Sequence, residues 1–560
     1  MTRFVQFRAR TQGFGRNPIH GVCAILLCAF LCCAACSASK PATKASNAGE
    51  GQDTSQFLVV VEEEPDTVDF QCTTIHYTIA TNVFDRLVEM ESDEKGNAVI
   101  VPSLAESWEE SEDGTTYTFH LRKGVTFSNG SPLTASDVRY TLTRLLTHPD
   151  SNNQDIAEVI KGADKLESGE ATELEGFKAL GDLDFSITLE QPFEAFLACL
   201  SMPGASIMDE ETTNTVGDHF GKDAASTIGT GSFVLEKWVP GEGMLLRANP
   251  TCWRGLPKCA GVDMRFLTEP EEIRSQFVDG GLDVLDLDDL GSSAEFFIHG
   301  DIYHERIHEV PRIAITYVAL NESVKPLSDA RVRKALQLAL DRQSLLDAVY
   351  SGRGAVENGI FPHGLYGFNP QLPNIPFDPE QARELLREAG YEDGFDLVYT
   401  VKSSSTQWEM AQAEQIVSLW EGVGVHATIK VVDEEEFMTQ RKSGKLACYS
   451  AMWTADYNDP DNFIYSFYGN QANTTNRSLC YANDEVMDRV KQARTITDST
   501  ARLEEYQDLE KIIVQDDAAW IPLYSRLHMY VTSERLVGFT YEWNGSVKNA
   551  YAKMTVSTTP

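Results

Sequence analysis

The sequence predicts a chain of the α/β class with at least two folded lobes. The chain has 560 residues, more than one hydrophobic core accommodates, since cores stop growing near about 250–300 residues. Hydrophobic residues make up 42% of the chain and aromatic residues 10%, as in folded globular proteins. Helix and strand patterns also alternate over residues 316–520, and this alternation is typical of an α/β lobe.

The strands are predicted from runs of apolar and β-branched residues. The run FLVVVEEE at 57–64 is typical of a short buried strand, whereas TYTFHL at 116–121 alternates like a half-exposed one. The segment VHATIKVVD, which follows Gly424, predicts a further strand. No repeat of about 20–50 residues is visible, which argues against a solenoid or a propeller.

Three helices are predicted from capping residues and helical spacing. Residues 328–350 form one predicted helix, because Ser328 and Asp329 can cap it and apolar residues then recur at helical spacing. A second helix is predicted to have Pro379 in its first turn and to stop at Gly390. A third is predicted over 409–421.

The acidic balance of the chain excludes two classes of partner. Lysine and arginine total 47 against 84 aspartates and glutamates, and the formal net charge is −37. A nucleic-acid binder needs clustered basic residues to displace phosphate counterions, and an anionic membrane surface repels such a chain. We therefore expect no nucleic-acid partner, and only a covalent or hydrophobic link to a membrane.

The first 35 residues are predicted to be an export signal. Their charged side chains are four arginines, and the apolar run GVCAILLCAFLCCAA at 21–35 has 15 residues, fewer than the roughly 20 that span a membrane. A plain cleaved signal and an uncleaved anchor remain alternatives. Residues 36–56 contain almost nothing to bury and are predicted to be a flexible tether.

The end of the apolar run resembles a bacterial lipobox. Small residues precede Cys36, although Cys33 stands where leucine is usual. Cys36 is therefore the predicted lipidation site, and a diacylglyceryl group carries enough acyl chains for stable anchoring. The folded part is expected outside the cytoplasm, at the cell surface or in the periplasm, attached to the bacterial cell membrane by this lipid alone.

Six cysteines follow the predicted lipidation site. An even number outside the cytosol permits up to three disulfides, with buried thiols as the alternative. Cys252 and Cys259 flank a short segment that contains glycine and proline, and they are the predicted disulfide pair. No pair has the CxxC spacing of zinc or redox sites.

A series of segments resembles the extracellular solute-binding proteins of the oligopeptide/dipeptide/nickel class, the capture subunits of ABC importers. The longest is LAESWEESEDGTTYTFHLRKGVTFSNGSPLTASDVRYTLTRLL at 104–146. The others follow in family order: IGTGSFVLEKW at 228–238, ANPTCWRGLPK at 248–258, VDGGLDVLDL at 278–287, LNESVKPLSDARVRKALQLALDR at 320–342, FDPEQARELLREAGY at 377–391 and WTADYNDPDNF at 453–463. The resemblance covers about 60–556, nearly the whole mature chain.

This resemblance implies a two-lobed α/β fold of the periplasmic-binding-protein type, with an extra subdomain inserted in the first lobe. Carried onto this chain, the first lobe comprises 57–90, 226–315 and 525–560, the inserted subdomain 91–225, and the second lobe 316–524. The lobes close on ligand by a hinge motion, and ligand contacts to both lobes favour the closed state.

The resemblance also implies a peptide site at Asp456. In peptide-binding members an aspartate at this position pairs with the α-ammonium group of the peptide, through a charge-assisted hydrogen bond. From the residues alone, an aspartate in the segment ADYNDP is as readily a turn or capping residue, and Asp459 and Asp461 are assigned a structural role of that kind.

Neighbouring residues complete the implied site. Extended backbone at Met452, Trp453 and Thr454, and a second stretch around Thr74, can pair with the amides of the ligand as an added strand. Tyr524 is a further candidate near the hinge. Some peptide binders hold the ligand carboxylate with an arginine shortly before the ADYNDP motif, but residues 447–452 read ACYSAM and contain no base.

The implied function is capture of oligopeptides and their delivery to an ABC permease with its separate ATPase subunits. The protein is expected to be a monomer, to use no cofactor and to catalyse no reaction. Alternatives on the same fold are a nickel chelate, haem, glutathione or a sugar as cargo, or a role as a peptide sensor or adhesin.

A secreted zinc peptidase is a more distant alternative. His304, Glu305 and His308 match the HExxH pattern, which works when both histidines share one face of a helix. Gly300 and Pro311 leave room for barely two turns, so a solvated extended segment is predicted instead and no metal site is expected.

Overall fold

The computed structural model describes residues 56–73, 76–94 and 96–557. The predicted signal peptide, the lipidation site Cys36 and the site residue Thr74 lie outside these ranges, as does nearly all of the predicted tether. Within the described ranges, no helix is both long enough and apolar enough to cross a membrane.

The described residues contain strands along almost their whole length. They are β1 Phe57–Val61, β2 Val88–Ser92, β3 Ala98–Pro102, β4 Ala105–Glu110, β5 Thr116–Leu121, β6 Phe177–Ala179, β7 Asp184–Thr188, β8 Phe233–Val239, β9 Gly243–Ala248, β10 Gly261–Arg265, β11 Val284–Asp286, β12 Ile307–Pro311, β13 Ala314–Leu320, β14 Gly354–Val356, β15 Phe395–Lys402, β16 Val425–Val432, β17 Cys448–Thr454, β18 Trp520–Thr532, β19 Leu536–Val537 and β20 Thr555–Val556.

Helices lie between the strands and become denser after residue 330. The α-helices are α1 Thr78–Val83, α2 Ala135–Thr147, α3 Ala163–Glu167, α4 Phe196–Leu200, α5 Glu210–Val216, α6 Pro270–Val278, α7 Glu295–Ile298, α8 Ala330–Leu338, α9 Arg342–Tyr350, α10 Pro379–Glu388, α11 Gln407–Glu421, α12 Glu434–Lys442, α13 Pro460–Tyr468, α14 Gln471–Asn476, α15 Asp484–Ala493 and α16 Ser499–Lys511.

The largest sheet holds twelve strands and is organised around β18. Its hydrogen-bonded order is β16-β15-β17-β13-β18-β11-β1-β10-β9-β8, and β12 and β14 also pair with β18. The first part of β18, from Trp520 to Tyr524, pairs with β13, whereas the remainder pairs with β12 and β11 as far as Thr532. β18 is thus the strand that connects the two halves of the sheet. Smaller sheets have the orders β4-β5-β7-β6, β2-β3 and β19-β20.

The buried apolar side chains form four clusters. The largest lies within residues 313–524, the second gathers residues of 87–207 together with Tyr457, the third draws on both ends of the described chain, and the fourth is centred on 273–303. Several separate cores agree with the expectation from length that the chain folds as more than one lobe. The lobe boundaries given above remain a prediction.

Most of the strands and helices predicted from the sequence are present in the structure. β1, β5 and β16 lie where alternation or apolar runs placed them, and α10 has Pro379 in its first turn and ends just before Gly390. The Asp378 carboxylate accepts a hydrogen bond from the backbone N–H of Gln381 at 2.9 Å and caps α10. α11 begins slightly earlier than predicted, because Thr406 and Glu409 form a reciprocal capping box.

The predicted helix over 328–350 is wrong, because this segment contains two helices, α8 and α9. The Asp341 carboxylate accepts a hydrogen bond from the backbone N–H of Ser344 at 3.1 Å, so a new helix starts there. The apolar spacing continues across the break, which is why periodicity did not reveal it.

The predicted Cys252–Cys259 disulfide is absent. All six cysteines in the described part of the chain are free thiols. The Cys259 thiol is directed at the backbone carbonyl of Tyr551, 3.6 Å away, and burial raises its pKa to about 11. Burial also raises the pKa of Cys252.

Candidate ligand-binding site

Asp456 lies between two hydrophobic cores. β17 ends at Thr454, and the next residue, Ala455, packs into the largest cluster. Tyr457, two residues later, packs into the second cluster, which otherwise consists of residues 87–207. The chain therefore crosses from one core to the other at Asp456, and its side chain is left exposed between them.

A single asparagine fixes the orientation of the Asp456 carboxylate. The side-chain amide of Asn462 donates to Asp456 Oδ2 at 3.0 Å, and the backbone N–H of Asp456 donates to Asn462 Oδ1 at 3.0 Å. The indole N–H of Trp453 donates to the same Asn462 oxygen at 3.3 Å. Asn462 reaches this position because Asp459 caps α13 and Pro460 starts its first turn.

The surroundings disfavour the ionised form of Asp456. Burial among protein groups raises the pKa of its carboxyl to about 6, with the negative charge of Asp155 adding to the rise and the bond from Asn462 opposing it. The pKa of Asp155 is raised to about 6 as well, first by burial and then by Glu158. Although the Asp456 side chain is exposed, the many protein groups around it are the first cause of the raised pKa.

The two acids that follow Asp456 are structural, as predicted. Asp459 makes a two-pronged ion pair with the buried Arg502, with oxygen–nitrogen distances of 2.8 and 2.7 Å. Asp461 pairs with Arg494 at 3.1 Å and accepts a hydrogen bond from the Tyr506 hydroxyl at 2.9 Å.

A polar cavity of about 140 Å³ opens beside Asp456. Its acidic lining residues are Asp456, Asp85, Glu89, Glu91 and Glu542, and its basic ones are Arg86, Arg254 and Lys553. The ion pairs are Asp85–Arg254 at 3.2 Å, Glu89–Arg86 at 2.5 Å, Glu89–Arg254 at 2.8 Å, Glu542–Lys553 at 2.9 Å and Glu91–Lys553 at 3.7 Å. Within the described residues, Asp456 is the one carboxylate of this lining without a cationic partner.

The predicted backbone stretch Met452–Thr454 forms the end of β17 and has one free edge. β17 pairs with β13 along its whole length, from Ala314↔Thr454 to Leu320↔Cys448. On its other side β15 meets β17 only at Tyr399↔Cys448. The edge from Tyr449 to Thr454 therefore has no strand beside it among the described strands, and the Met452 side chain is 38% exposed.

The second predicted stretch, around Thr74, is described only at its first residue. Thr73 is described and Thr74 is not; the Tyr77 hydroxyl donates to the Thr73 carbonyl at 2.8 Å and to Asn153 at 2.9 Å. The pKa of Tyr77 is raised first by burial and further by the charge of Asp456. Tyr77, which directly precedes α1, therefore lies within electrostatic range of the Asp456 carboxylate.

Tyr524 does not reach the site. Its side chain is 0% exposed, its hydroxyl donates to Gln412 Oε1, and its ring packs edge-on against Tyr350 at 5.6 Å. We therefore remove Tyr524 from the candidate site.

The HExxH segment has no catalytic geometry. His304 and Glu305 lie in a 3-10 helix, Asp301–Arg306, and His308 lies in β12. The His308 ring stacks on Phe539 with 4.0 Å between centroids, and its Nε2 lies 3.1 Å from Thr532 Oγ1. The two histidines thus occupy different elements, and the zinc-peptidase hypothesis fails.

One trio of possible metal ligands occurs in the described part of the chain, namely Asp286, Asp288 and His528. Arginines already occupy it. Arg526 Nη1 lies 2.6 Å from Asp288 Oδ2, and Arg312 Nη1 lies 2.7 Å from His528 Nε2. We interpret the trio as an ion-pair network where β18 passes from one half of the sheet to the other.

A family model described as bacterial extracellular solute-binding proteins, family 5 Middle, matches residues 99–475. That range is more than half of the chain. The chain belongs to family 5 of the bacterial extracellular solute-binding proteins. The resemblance noted in the sequence is thereby confirmed, and the protein is a binding protein of the ABC-importer type, not an enzyme.

Curated relatives of this family 5 protein carry different names. Heme-binding protein A of Haemophilus influenzae is 27% identical over 543 residues, which cover 92% of this chain and 95% of the relative. The dipeptide-binding protein of Escherichia coli is 28% identical over 469 residues, which cover 81% and 85%.

Solved structures share the fold of this family 5 protein. The ABC transporter-associated periplasmic binding protein DppA from Helicobacter pylori, in complex with peptide STSA, matches with a TM-score of 0.74 at 23% identity, covering 90% of this chain and 98% of that one. HbpA2 from Haemophilus parasuis matches with a TM-score of 0.72 at 25% identity, covering 90% and 99%. The predicted two-lobed α/β fold is confirmed, and the family fits a location outside the cytoplasm.

Several site residues of this family 5 protein were missed from the sequence. Tyr77 and Asp155 reach Asp456 from distant parts of the chain, and no local pattern marks them. Asn462 could have been found, because Pro460 starts a helix whose first turn must carry it back towards Asp456.

Proposed function

We propose that this protein is a lipid-anchored extracytoplasmic receptor that captures oligopeptides and delivers them to an ABC permease. Cys36 carries the lipid, and Asp456 binds the α-ammonium group of the peptide. In this proposal the predicted lobe I (57–90, 226–315 and 525–560), its inserted subdomain (91–225) and lobe II (316–524) close around the ligand.

The unpaired state of Asp456 carries this proposal. Each of the other cavity carboxylates is ion-paired with Arg86, Arg254 or Lys553, so a ligand cation gains less from them than from Asp456. Asp456 lacks such a partner within the described residues and is held ready by Asn462. A ligand ammonium group would supply the missing charge and would lower the pKa of the Asp456 carboxyl again.

The free edge of β17 supports a peptide as the ligand. A peptide has its backbone and its termini in common with every other peptide, and an extended one can add to an exposed strand edge. The edge from Tyr449 to Thr454 ends two residues before Asp456. Backbone pairing there and ammonium pairing at Asp456 use neighbouring parts of the same ligand.

Haem is the cargo that Heme-binding protein A of Haemophilus influenzae suggests as an alternative. Haem iron is held by His, Cys, Met or Tyr, and of these types Met90 alone is among the described residues that line the cavity. The lining is also predominantly polar, whereas a haem macrocycle requires apolar walls. These observations favour a peptide.

Thermal unfolding tests the proposal. The purified protein is unfolded and refolded to remove any bound ligand, and its Tm is compared with tri- to hexapeptides that carry a free amino terminus and with the same peptides N-acetylated. A ligand that binds only the native state raises Tm. We expect free peptides to raise it and acetylated peptides to leave it unchanged.

The matched variants are Asp456→Asn and Asp393→Asn. Asp393 is an exposed acid between α10 and β15, so its replacement should leave the peptide response intact, whereas Asp456→Asn should abolish it. Equal shifts of Tm with free and acetylated peptides would contradict the proposed role of Asp456. A shift with haemin alone would replace peptide by haem as the cargo.

A further inference from the structure

The cavity beside Asp456 is lined by more acids than cations. Among the described residues of its lining are five carboxylates and three cationic side chains. Arg254 lies 3.2 Å from Asp85 and 2.8 Å from Glu89. Arg86 adds a second cation 2.5 Å from Glu89, so two arginines balance these two acids. The excess negative charge therefore lies elsewhere in the cavity, and Asp456 accounts for one unit of it.

The second unit of excess charge lies beside Lys553. This lysine is the partner of two carboxylates, because it lies 2.9 Å from Glu542 and 3.7 Å from Glu91. The contact with Glu91 is the longer one, and the Glu91 side chain is 45% exposed against 14% for Glu542. Lys553 therefore mainly neutralises Glu542, and Glu91 keeps most of its charge for a ligand.

The geometry of β2 directs Glu91 into the cavity. Glu89 and Glu91 are alternate residues of this strand, so their side chains project from the same face, and both line the cavity. Burial raises the pKa of Glu542; the charges of Glu89 and Glu91 add to the rise, and Lys553 opposes it. The carboxylates thus repel one another, and a cation that enters among them relieves the repulsion.

An aromatic side chain gives the same cavity an apolar wall. Trp543 lines the cavity together with Met90 and Ala552. It packs against both the largest and the second hydrophobic cluster, which are the two cores that meet at Asp456. A ligand side chain in this cavity therefore meets an aromatic face as well as a carboxylate. A long aliphatic stem with a cationic head matches both.

We propose that this cavity selects peptides whose amino-terminal residue is lysine or arginine, with the side-chain cation paired to Glu91 and the aliphatic stem against Trp543. This inference rests on the proposed function and narrows its substrate class from oligopeptides in general to those with a basic first residue. Asp456 binds the ammonium group that all such ligands share, whereas Glu91 determines which of them bind best.

The test compares peptides that differ by one charge. Binding of Lys-Ala-Ala and of norleucine-Ala-Ala, which keeps the aliphatic stem and lacks the cation, is measured by titration calorimetry on the ligand-free wild-type protein. A partly exposed ion pair predicts that the lysine peptide binds roughly 3- to 10-fold more tightly. Ala-Ala-Lys and Ala-Ala-norleucine carry the same difference at the third residue and should bind equally.

Three variants then assign the preference to Glu91. Glu91→Gln should lower the affinity for Lys-Ala-Ala to that for norleucine-Ala-Ala and leave the latter unchanged. Lys553→Met removes the competing cation, so it should increase the preference for the lysine peptide, an effect of opposite sign that loss of stability does not produce. Glu106→Gln, which replaces an exposed glutamate on β4, should leave the preference unchanged.

The outcomes separate this inference from the proposed function. Binding of none of the four peptides would contradict the proposed function itself. Equal binding of Lys-Ala-Ala and norleucine-Ala-Ala by the wild-type protein would overturn the selection of basic residues and leave the role of Asp456 untouched. A preference for lysine that persists in Glu91→Gln would overturn the assignment to Glu91.

Discussion

Three aspartates of one short segment differ in what neutralises them. Asp459 pairs with Arg502 of α16 and Asp461 pairs with Arg494, which follows α15. Asp456 instead faces a cavity. The carboxyl chemistry is the same in each case, so the partner decides between a structural role and a binding role.

Replacement of Asp459 should therefore destabilise the fold, whereas replacement of Asp456 should not. Asp459→Asn breaks a buried two-pronged pair and strands Arg502, which is 1% exposed, so we expect a loss of about 3–5 kcal/mol in the free energy of unfolding. Asp456→Asn should change that free energy little. Urea unfolding of both variants measures the contrast, and equal losses would contradict it.

Peptide binding should weaken in mild acid. The pKa of Asp456 is about 6 in the empty protein, so about a tenth of the carboxyl is ionised near pH 5, whereas an α-ammonium group stays protonated. We expect affinity to fall roughly tenfold between about pH 7 and about pH 5. Calorimetric titration at both values checks this, and Asp155→Asn, which removes one cause of the raised pKa of Asp456, should move the step to lower pH.

The raised pKa of Asp456 affects the stability of the protein without ligand in the opposite direction. The folded pKa lies above the ordinary value of 3.8, so the folded state holds the proton more tightly than the unfolded chain does. The contribution of this group to stability is present at low pH and is lost as pH rises through about 4 to 6. Ligand binding opposes this loss by supplying a cation.

At the scale of residues, a contiguous motif is easier to use than packing, and the ligand-binding role of Asp456 stays a prediction. Asp456 was located by the segment in which it stands. Tyr524 was misplaced, because the sequence IPLY does not reveal which face of β18 points into the core. Lys553 and Glu542 line a cavity with Glu89, and sequence distance carries no information on such contacts.

At the scale of elements, β17 has the clearest functional asymmetry. One edge is fully paired with β13 and the other is open from Tyr449 onwards. If a peptide adds to this edge, its carbonyls will protect backbone N–H groups that solvent otherwise reaches.

Hydrogen exchange measures this protection directly. We expect amides of Tyr449–Thr454 to exchange more slowly when peptide is bound. β16 lies at the outer edge of the same sheet, away from Asp456, and its exchange should not change. Equal slowing in β16 and β17 would indicate general stabilisation instead of strand addition.

Element-level prediction depended on capping chemistry. α10 and α11 have strong starting signals, Asp378 with Pro379 and Thr406 with Glu409, and their limits came out within a few residues. The break between α8 and α9 was missed, because Asp341 lies inside an uninterrupted helical pattern. A capping residue can be recognised from the sequence only when the helical spacing of apolar residues ends beside it.

At the scale of the whole molecule, the proposed lipid is what retains the protein at the membrane. The chain carries a formal net charge of −37, which disfavours adsorption to an anionic surface. We therefore expect Cys36→Ser to move the protein from the membrane fraction to the soluble extracytoplasmic fraction, with its peptide affinity unchanged. Retention of this variant in the membrane would contradict lipid anchoring.

The position of β18 has a consequence for how the chain is made. This strand lies in the middle of the twelve-stranded sheet, yet it is residues 520–532 of a 560-residue chain. The ribosome makes β18 well after β11 and β13, so these two strands wait for their shared neighbour during synthesis. The two halves of the sheet therefore cannot be joined until β18 has been made.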